Sequence, residues 1–573
     1  MKADIVFING VVYSITMDDR RINGTAVAVQ GEKIQAVGTD EEVKQFIGEN
    51  TKVIDCKGNT ILPGLCDAHC HPSWAASVLV ACDLFNVRMT EGKCIDDVIA
   101  EYLELVKAYI EKHPDEKIIR GAGWDYAFFN GAHGEIKYPT RHDLDKICSD
   151  KAIVLESYCQ HHFWTNTKAI VDAGLDENTK SPETGVIDRE ENGFPSGTFH
   201  EMEALDMIRK GLPGYDYSVE KYKEILRRYQ KELANIYGIV MVNDCLHGGN
   251  ATEAYRQLAD AGELTLRARG VYHVQSKNST DDCFEDLLSK KAVKGKSDDF
   301  AIETVKIFLD GDMCMCEPWE PGITEILGVP KDYRSHTLWT EEEAKEFVAR
   351  AIENGFQLHI HAMGDQAVKL GVESLEIAQT KYPGDHRNAI AHVMAIKPED
   401  IEKMGKHKII AAMQPAWMVN ESTVDGFYIP YFGKERTLLF YPNKRLLDAG
   451  AIVTYGSDFP ITPPPNPWHG IQCALTRAVF VGQKDYNEYK GKVLGPEGNE
   501  TLDCVTLDDA IKCSTITGAY QNRLEDVTGS LEVGKSADIV LINVDIEKTP
   551  VEEIYDIQAD VTMFKGKIVH SRM

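Results

Sequence analysis

The stretch "GLCDAHCHPS", residues 64–73, closes an apolar run and carries two histidines one residue apart. Residues i and i+2 of a β-strand point to the same face, so His69 and His71 share a face if this run is a strand. Two imidazoles on one face at a strand end can bind a metal ion together. Two histidines alone are weak support for a metal site, so the rest of the chain has to supply the other ligands.

The run "ILPGLCDAH", which begins at residue 61, is followed by seven further strand-like runs. They cover residues 238–244, 264–274, 303–311, 356–365, 388–393, 408–415 and 451–458. Amphipathic helical stretches such as "TEEEAKEFVARAIENG", residues 340–355, lie between several of them. Eight β/α units are typical of a (β/α)8 TIM barrel, so we predict an α/β fold of this kind.

The gap between the first two runs, residues 75–235, is too long for one crossover helix. We predict a large insertion after strand 1 that lies on the catalytic face and shapes the pocket. Both termini contain short β-runs around glycine turns, and neither is long enough to close a sandwich alone. We therefore predict a small β-sandwich built from residues 1–60 and 525–573, with the barrel domain at 61–524.

The composition excludes several classes of partner. The chain has 573 residues and a net charge of −28, and nucleic acids and anionic membranes both need positive surface. The N-terminus lacks the pattern of a signal peptide, and no apolar run reaches the roughly 20 residues of a membrane span. The 14 cysteines contain no CxxC pair, which favours a reducing cytoplasm. We expect a small-molecule substrate, and a homo-oligomer is compatible with the sequence.

Ionisable residues recur at the C-terminal ends of the predicted strands, where a barrel of this kind has its active site. They are His69 and His71 on strand 1, His361 on strand 5, His392 on strand 6 and Asp458 on strand 8. These donors suit one or two divalent ions, with Zn²⁺ preferred. A single histidine is more often a core or surface residue, and a lone aspartate can be a helix N-cap, so the prediction depends on their joint placement. His359 is a weaker candidate because His361 lies nearer the strand end.

Lys306 lies inside the apolar run of strand 4, where an unpaired charge is costly. Burial lowers the pKa of a lysine, and the neutral amine can react with CO₂ to give a carbamate that bridges two metal ions. Alternatively, Lys306 reaches the barrel mouth and pairs with Asp310. Asp310 is itself an alternative ligand.

Several motifs resemble the metal-dependent amidohydrolase superfamily, and more closely its amidohydrolase-3 branch, whose members include N-substituted formamide deformylases. They are "GLCDAHCH", "VKIFLDG", "HAMGDQAV", "IAHV", "GSDFPI" and the closing "GSLEVGKSADIVLI". The resemblance runs nearly end to end and includes "GAGWD", "PTRHDLD" and "QHHFWTNTKA" within the insertion. Immediately before the last of these, Cys159 stands where the family usually has an aspartate, and the motif's histidine falls on His161.

The resemblance implies a role for each residue at the strand ends. His69 and His71 would bind one ion, His361 and His392 a second, with Lys306 as a carboxylated bridge and Asp458 as ligand and general base. A metal-activated hydroxide would then attack a carbonyl carbon, and Asp458 would pass the proton to the leaving amine. The predicted reaction is hydrolysis of a C–N amide-type bond in an N-acyl, N-formyl or cyclic amide.

Three alternatives remain at this point. Deaminases of the superfamily generally use one ion and a glutamate three residues after the strand-5 histidine, where this chain has Gly364. Ester, lactone or phosphotriester hydrolysis is within reach of the same site. A non-catalytic ligand-binding barrel is the alternative from another class, although such a protein would be expected to have lost ligands. Trp124, Asp125 and His161 in the insertion are the predicted substrate contacts, and each can equally be a packing residue.

Overall fold

The computed structural model describes the chain except residues 91, 130–136, 183–184, 276–279, 292–297, 312 and 484, and the side chains of residues 246 and 247. The described residues form two compact units. The first combines Met1–Pro72 with Leu226–Met573, and the second is Ser73–Ile225.

The first unit contains an eight-stranded sheet in which every neighbouring pair is parallel. Its strands in chain order are β1 (Leu65–Cys70), β2 (Ile239–His247), β3 (Arg267–His273), β4 (Phe300–Phe308), β5 (Gln357–Ala362), β6 (Ala389–His392), β7 (Ile410–Met413) and β8 (Ile452–Tyr455). The order along the sheet follows the chain order, and backbone hydrogen bonds join the two edge strands at their C-terminal ends. The Asp458 amide donates to the His69 carbonyl oxygen at 2.8 Å, and the His71 amide donates to that of Phe459 at 2.7 Å. The predicted (β/α)8 architecture is confirmed.

Helices follow the barrel strands because each strand is buried on both faces and needs an apolar cover. The helices of this unit after β2 are Gly249–Asp260, Asp281–Lys291, Pro321–Leu327, Glu341–Glu353, Asp365–Lys381, Pro398–Lys406, Ile429–Phe432, Lys434–Thr437, Asn443–Asp448, Pro467–Thr476, Tyr486–Tyr489, Leu507–Cys513 and Ile516–Gln521. Helix Glu341–Glu353 is representative: a Thr340 capping box starts it, and its apolar face, including Phe347, is buried. None of the helices that the structure describes is both long and apolar enough to cross a membrane.

Two further sheets of the first unit form a sandwich from both termini. One contains Ile5–Ile8, Ala26–Gln30, Lys33–Gly38 and Lys52–Asp55, with helix Asp40–Lys44. The other contains Val11–Ile15, Arg21–Gly24, Thr60–Pro63, Ile539–Ile542, Ala559–Phe564 and Lys567–Ser571. Residues of both sheets, such as Phe7 and Val561, share one buried apolar cluster. Buried Arg267 at the start of β3 pairs with Asp538, which ties the barrel to the C-terminal strands.

The second unit has a six-stranded mixed sheet of its own. The strands are Cys82–Asp83, Ile118–Trp124, Ala152–Ser157, His162–Thr165, Val186–Arg189 and Pro195–His200. The helices are Ala76–Leu79, Ile95–Lys112, Arg141–Asp145, Thr167–Asp172 and Met202–Gly211, and Val219–Arg228 continues across the unit boundary. This unit, Ser73–Ile225, covers most of the insertion predicted at 75–235, and two apolar clusters fill it.

Candidate metal centre

The first part of the site joins β1 to the turn after β8. One carboxylate oxygen of Asp458 lies 2.9 Å from Nε2 of His71 and 3.2 Å from Nε2 of His69. Zinc–nitrogen bonds of about 2.0–2.1 Å in a tetrahedral site separate ligand atoms by about 3.3 Å. The three side chains are buried and their ligand atoms cluster closely enough to hold one ion.

Several contacts bring Asp458 to this position. Gly456 allows β8 to approach β1, since a Cβ there would lie 2.5 Å from the His69 backbone nitrogen. Asp67 accepts hydrogen bonds from the Ser457 amide at 2.9 Å and from its hydroxyl at 2.5 Å. Asp458 itself has a φ of +56°, an uncommon conformation outside glycine that clusters at functional sites.

The second part of the site comes from β5 and β6. The His361 and His392 rings lie with centroids 4.5 Å apart, and the His392 and His69 rings are 4.8 Å apart. Nδ1 of His392 lies 2.7 Å from the Gln414 side-chain oxygen, and the His392 ring stacks on Trp417. Because Gln414 Oε1 can only accept, it holds the proton on Nδ1 and leaves Nε2 of His392 able to bind a metal.

Lys306 is buried beside His69. Its side chain is 1% exposed and its Nζ lies 3.4 Å from Nε2 of His69 and 4.7 Å from the centroid of the Phe308 ring. Among the described residues, no carboxylate oxygen lies within 4.0 Å of this nitrogen. Burial lowers the pKa of Lys306, which favours the neutral amine.

Asp310 does not pair with Lys306, and its role as an alternative ligand stays a prediction. Its carboxylate accepts hydrogen bonds from the backbone amides of Met363 at 3.0 Å, Gly364 at 2.8 Å and Cys314 at 3.1 Å. It therefore shapes the loop after β5, and the pairing with Lys306 is not formed. One of its carboxylate oxygens, Oδ1, lies 3.6 Å from Nε2 of His361.

Two further residues lie at the site: Cys245, which the sequence analysis missed, and His359, which it treated as a weaker candidate. The ligand atoms of Cys245, His359 and His69 all lie within 4.8 Å of one another. Cys245 is close to the C-terminal end of β2, the same position that identified the other candidates, so that rule could have found it. Nε2 of His359 lies 2.7 Å from Nδ1 of His69. Gln414, at the end of β7, carries no sequence signal beyond its place there.

The electrostatics of the site favour neutral imidazoles beside an ionised carboxylate. Burial, reinforced by nearby Lys306, lowers the pKa of His69 well below its usual range, and burial lowers that of His392 to about 4. Burial disfavours the charged form of Asp458, but His69 and His71 outweigh it and hold its pKa well below the usual range. Neutral imidazole nitrogens and a carboxylate are the donors that zinc-type divalent ions prefer, so this donor set fits such an ion.

The predicted substrate residues belong to the second unit. The Trp124 ring is fully buried and its N–H donates to the Leu155 carbonyl oxygen at 3.0 Å. The Asp125 side chain accepts the Ala127 amide at 3.0 Å. His161 is partly exposed, and its Nδ1 lies 2.9 Å from a Glu201 carboxylate oxygen. These contacts give Trp124 a packing role, whereas the substrate roles of all three remain predictions.

Comparison with known proteins agrees with this architecture. The N-substituted formamide deformylase of Arthrobacter pascens is 24% identical over 575 residues, covering 99% of this chain and 98% of that protein. The putative amidohydrolase YtcJ of Bacillus subtilis (strain 168) is 25% identical over 596 residues, covering 100% of both. The structure of an uncharacterized metal-dependent hydrolase from Pyrococcus horikoshii OT3 matches with a TM-score of 0.72 at 21% identity, covering 96% of this chain and 99% of that one.

That structural match shows a shared fold. The sequence profile described as "Amidohydrolase family" matches residues 52–570, which is nearly the whole chain. The chain therefore belongs to the amidohydrolase family of hydrolases.

Proposed function

We propose that this protein is a metal-dependent hydrolase that cleaves the C–N bond of an N-acyl, N-formyl or cyclic amide. The observation that carries the proposal is one Asp458 oxygen within 2.9 Å of His71 Nε2 and 3.2 Å of His69 Nε2, at the barrel end where active sites lie. The similarity to the formamide deformylase, which covers 99% of this chain, supports the C–N bond of an amide as the bond that is cleaved.

The proposed ligands divide between two ions, with Zn²⁺ preferred. His69, His71 and Asp458 would hold the first, and His361 and His392 the second. The 4.5 Å separation of the His361 and His392 rings supports their acting together.

Lys306 would bridge the ions as a carbamate. Its neutral Nζ forms a bond to the carbon of CO₂ and releases one proton, which leaves a carboxylate-like anion on the side chain. Burial, a lowered pKa and an environment of imidazoles and an aromatic ring support this chemistry.

Bound metal would lower the pKa of a coordinated water and polarise the substrate carbonyl. Asp458 would take the proton from the attacking water as the new C–O bond forms. It would then deliver that proton to the amide nitrogen as the C–N bond breaks, so that an acid and an amine leave. The low pKa of Asp458 keeps its carboxylate ionised, which is the form a general base requires.

The test compares wild type with Asp458→Asn, which keeps the size of the side chain and removes its basicity. Both proteins are saturated with Zn²⁺ and assayed on a panel of N-formyl, N-acyl and cyclic amides, with matched esters and lactones. The control is Asp400→Asn, since Asp400 is also a buried carboxylate but lies on helix Pro398–Lys406.

We expect kcat for an amide to fall about 10²–10⁴-fold in Asp458→Asn, with bound zinc retained and the control unchanged. Turnover of Asp458→Asn within tenfold of wild type would contradict the assigned proton transfer. Turnover of esters or lactones without any amide would contradict the assignment of the bond. Binding of panel compounds without turnover would indicate a ligand-binding barrel.

A further inference from the structure

His359 is a buried histidine that the proposed ligand set does not use. It is fully buried on β5, where it pairs in register with Lys306, two residues before His361. Its Nε2 lies 2.7 Å from Nδ1 of His69, a hydrogen-bond distance. Its other ring nitrogen, Nδ1, is buried and has no hydrogen-bond partner within the described part of the chain.

The contact between the two rings constrains where their protons lie. A neutral imidazole has one N–H and one lone pair, and a metal ion binds the nitrogen that carries the lone pair. Nε2 of His69 faces Asp458 at 3.2 Å, so it is the nitrogen that would bind an ion there. The proton of His69 must then lie on Nδ1, where Nε2 of His359 is the acceptor at 2.7 Å.

The same reasoning applies to His359. Because its Nε2 accepts a proton, its own proton lies on Nδ1, which is the nitrogen without a partner. An unpaired buried N–H is unfavourable, and such groups persist where another interaction requires them. The orphaned Nδ1 is therefore explained by the hydrogen bond that His359 makes to His69.

We infer that His359 is a positioning residue of the metal centre, whose Nε2 fixes the tautomer and orientation of His69. This inference rests on the metal site of the proposed function and adds a residue outside its ligand set. Ligand histidines are commonly held by a carboxylate, carbonyl or water, and here a second imidazole supplies that contact.

A competing assignment makes His359 a ligand, together with His69 and Cys245, whose ligand atoms lie within 4.8 Å of one another. The ring of a neutral His69 has only one nitrogen lone pair that can bind a metal. It therefore cannot bind an ion beside His359 and Cys245 and, at the same time, an ion beside Asp458. The positioning role uses His69 Nε2 and Nδ1 for different partners and avoids this conflict.

Three substitutions in the full-length protein separate these roles. His359→Gln keeps an acceptor oxygen near the position of Nε2. His359→Leu fills similar space without an acceptor, and His359→Asn reaches only the position of Nδ1. Zinc affinity is measured by competition with a chromophoric chelator and stoichiometry by elemental analysis. The visible spectrum of the Co²⁺-loaded protein reports ligand geometry, and thermal unfolding without metal verifies folding.

We expect His359→Leu and His359→Asn to bind zinc about 10–100-fold more weakly than wild type, with His359→Gln restoring most of the affinity. Stoichiometry should not change, and the Co²⁺ spectrum should change in the Leu and Asn variants alone. Equal zinc affinity in wild type and a folded His359→Leu would overturn the inference. Loss of an ion in all three variants would make His359 a ligand and also overturn it. Wild type that binds no zinc would instead refute the proposed function.

Discussion

Replacing Gly456 by alanine tests whether the turn after β8 controls the metal centre. An added Cβ would lie 2.5 Å from the backbone nitrogen of His69 and 2.7 Å from its Cβ. These atoms belong to a buried barrel strand and cannot rotate away. Ordinary contact begins at 3.4 Å, so the two chain segments would have to separate by up to 3.4 − 2.5 = 0.9 Å.

The loss of stability in Gly456→Ala follows from that displacement. Overpacking of this kind costs about 1–3 kcal/mol, and loss of the hydrogen bond from the Asp458 amide to the His69 carbonyl adds about 1 kcal/mol. We therefore expect a destabilisation of about 2–4 kcal/mol. Misplacing a catalytic group by about 1 Å can cost about 10²-fold in rate, so turnover should fall by roughly that factor.

The assay combines urea unfolding of the metal-free protein, zinc titration and turnover of the best amide from the panel. Gly322→Ala is the control, because a Cβ at Gly322, in helix Pro321–Leu327, meets no atom within 4 Å. Gly456→Ala should unfold at lower urea and bind zinc more weakly, while the control should be at least as stable as wild type and bind zinc equally well. The reasoning is wrong if Gly456→Ala retains the unfolding midpoint and zinc affinity of wild type.

Three further predictions concern single contacts. Burial raises the pKa of Asp67 to about 7, above its unfolded value of 3.8, so its contribution to stability is full below pH 3.8 and is lost as the pH rises through 7. The free energy of unfolding of metal-free wild type should fall by up to about 4 kcal/mol between these limits. Thermal unfolding at pH 5 and pH 8 should show a smaller fall in Asp67→Asn than in wild type. Asp538→Ala leaves the buried Arg267 guanidinium without its ion-pair partner and should lower the free energy of unfolding in urea by about 3–5 kcal/mol. The double variant that also carries Arg267→Met should recover much of this loss. Gln414→Leu removes the acceptor for His392 Nδ1 and should weaken zinc binding about 10–100-fold in a competition titration, whereas Gln414→Glu should not.

The barrel was predictable because its strands are buried on both faces and read as continuous apolar runs. All eight runs became strands; five of the strands are shorter than their runs at both ends, whereas β1, β2 and β4 extend beyond theirs at one end. The six-stranded sheet of Ser73–Ile225 was not predicted. Its pairings join segments far apart in the chain, such as Ile118–Trp124 with Ala152–Ser157, and local sequence does not encode that register.

Some residues of the candidate site could likewise be predicted from the sequence, and others could not. His71 and Asp458 follow from one rule, that polar residues at barrel strand ends meet at one mouth. Lys306 was found because a lysine is anomalous inside an apolar run. His359 was discounted because His361 lies nearer the strand end. Its contact with His69 could not be predicted, because that contact depends on the register between strands, which only the folded barrel defines.

The most direct test of the central claim is the metal content of wild type and Lys306→Ala, measured side by side by elemental analysis after purification without chelator or affinity tag. The proposal predicts about two zinc-type ions per chain in wild type and a sharp fall in the variant, because the bridging carbamate is lost. A single ion that the substitution leaves in place would remove Lys306 from the site. No bound metal in wild type would contradict the metal-dependent mechanism itself.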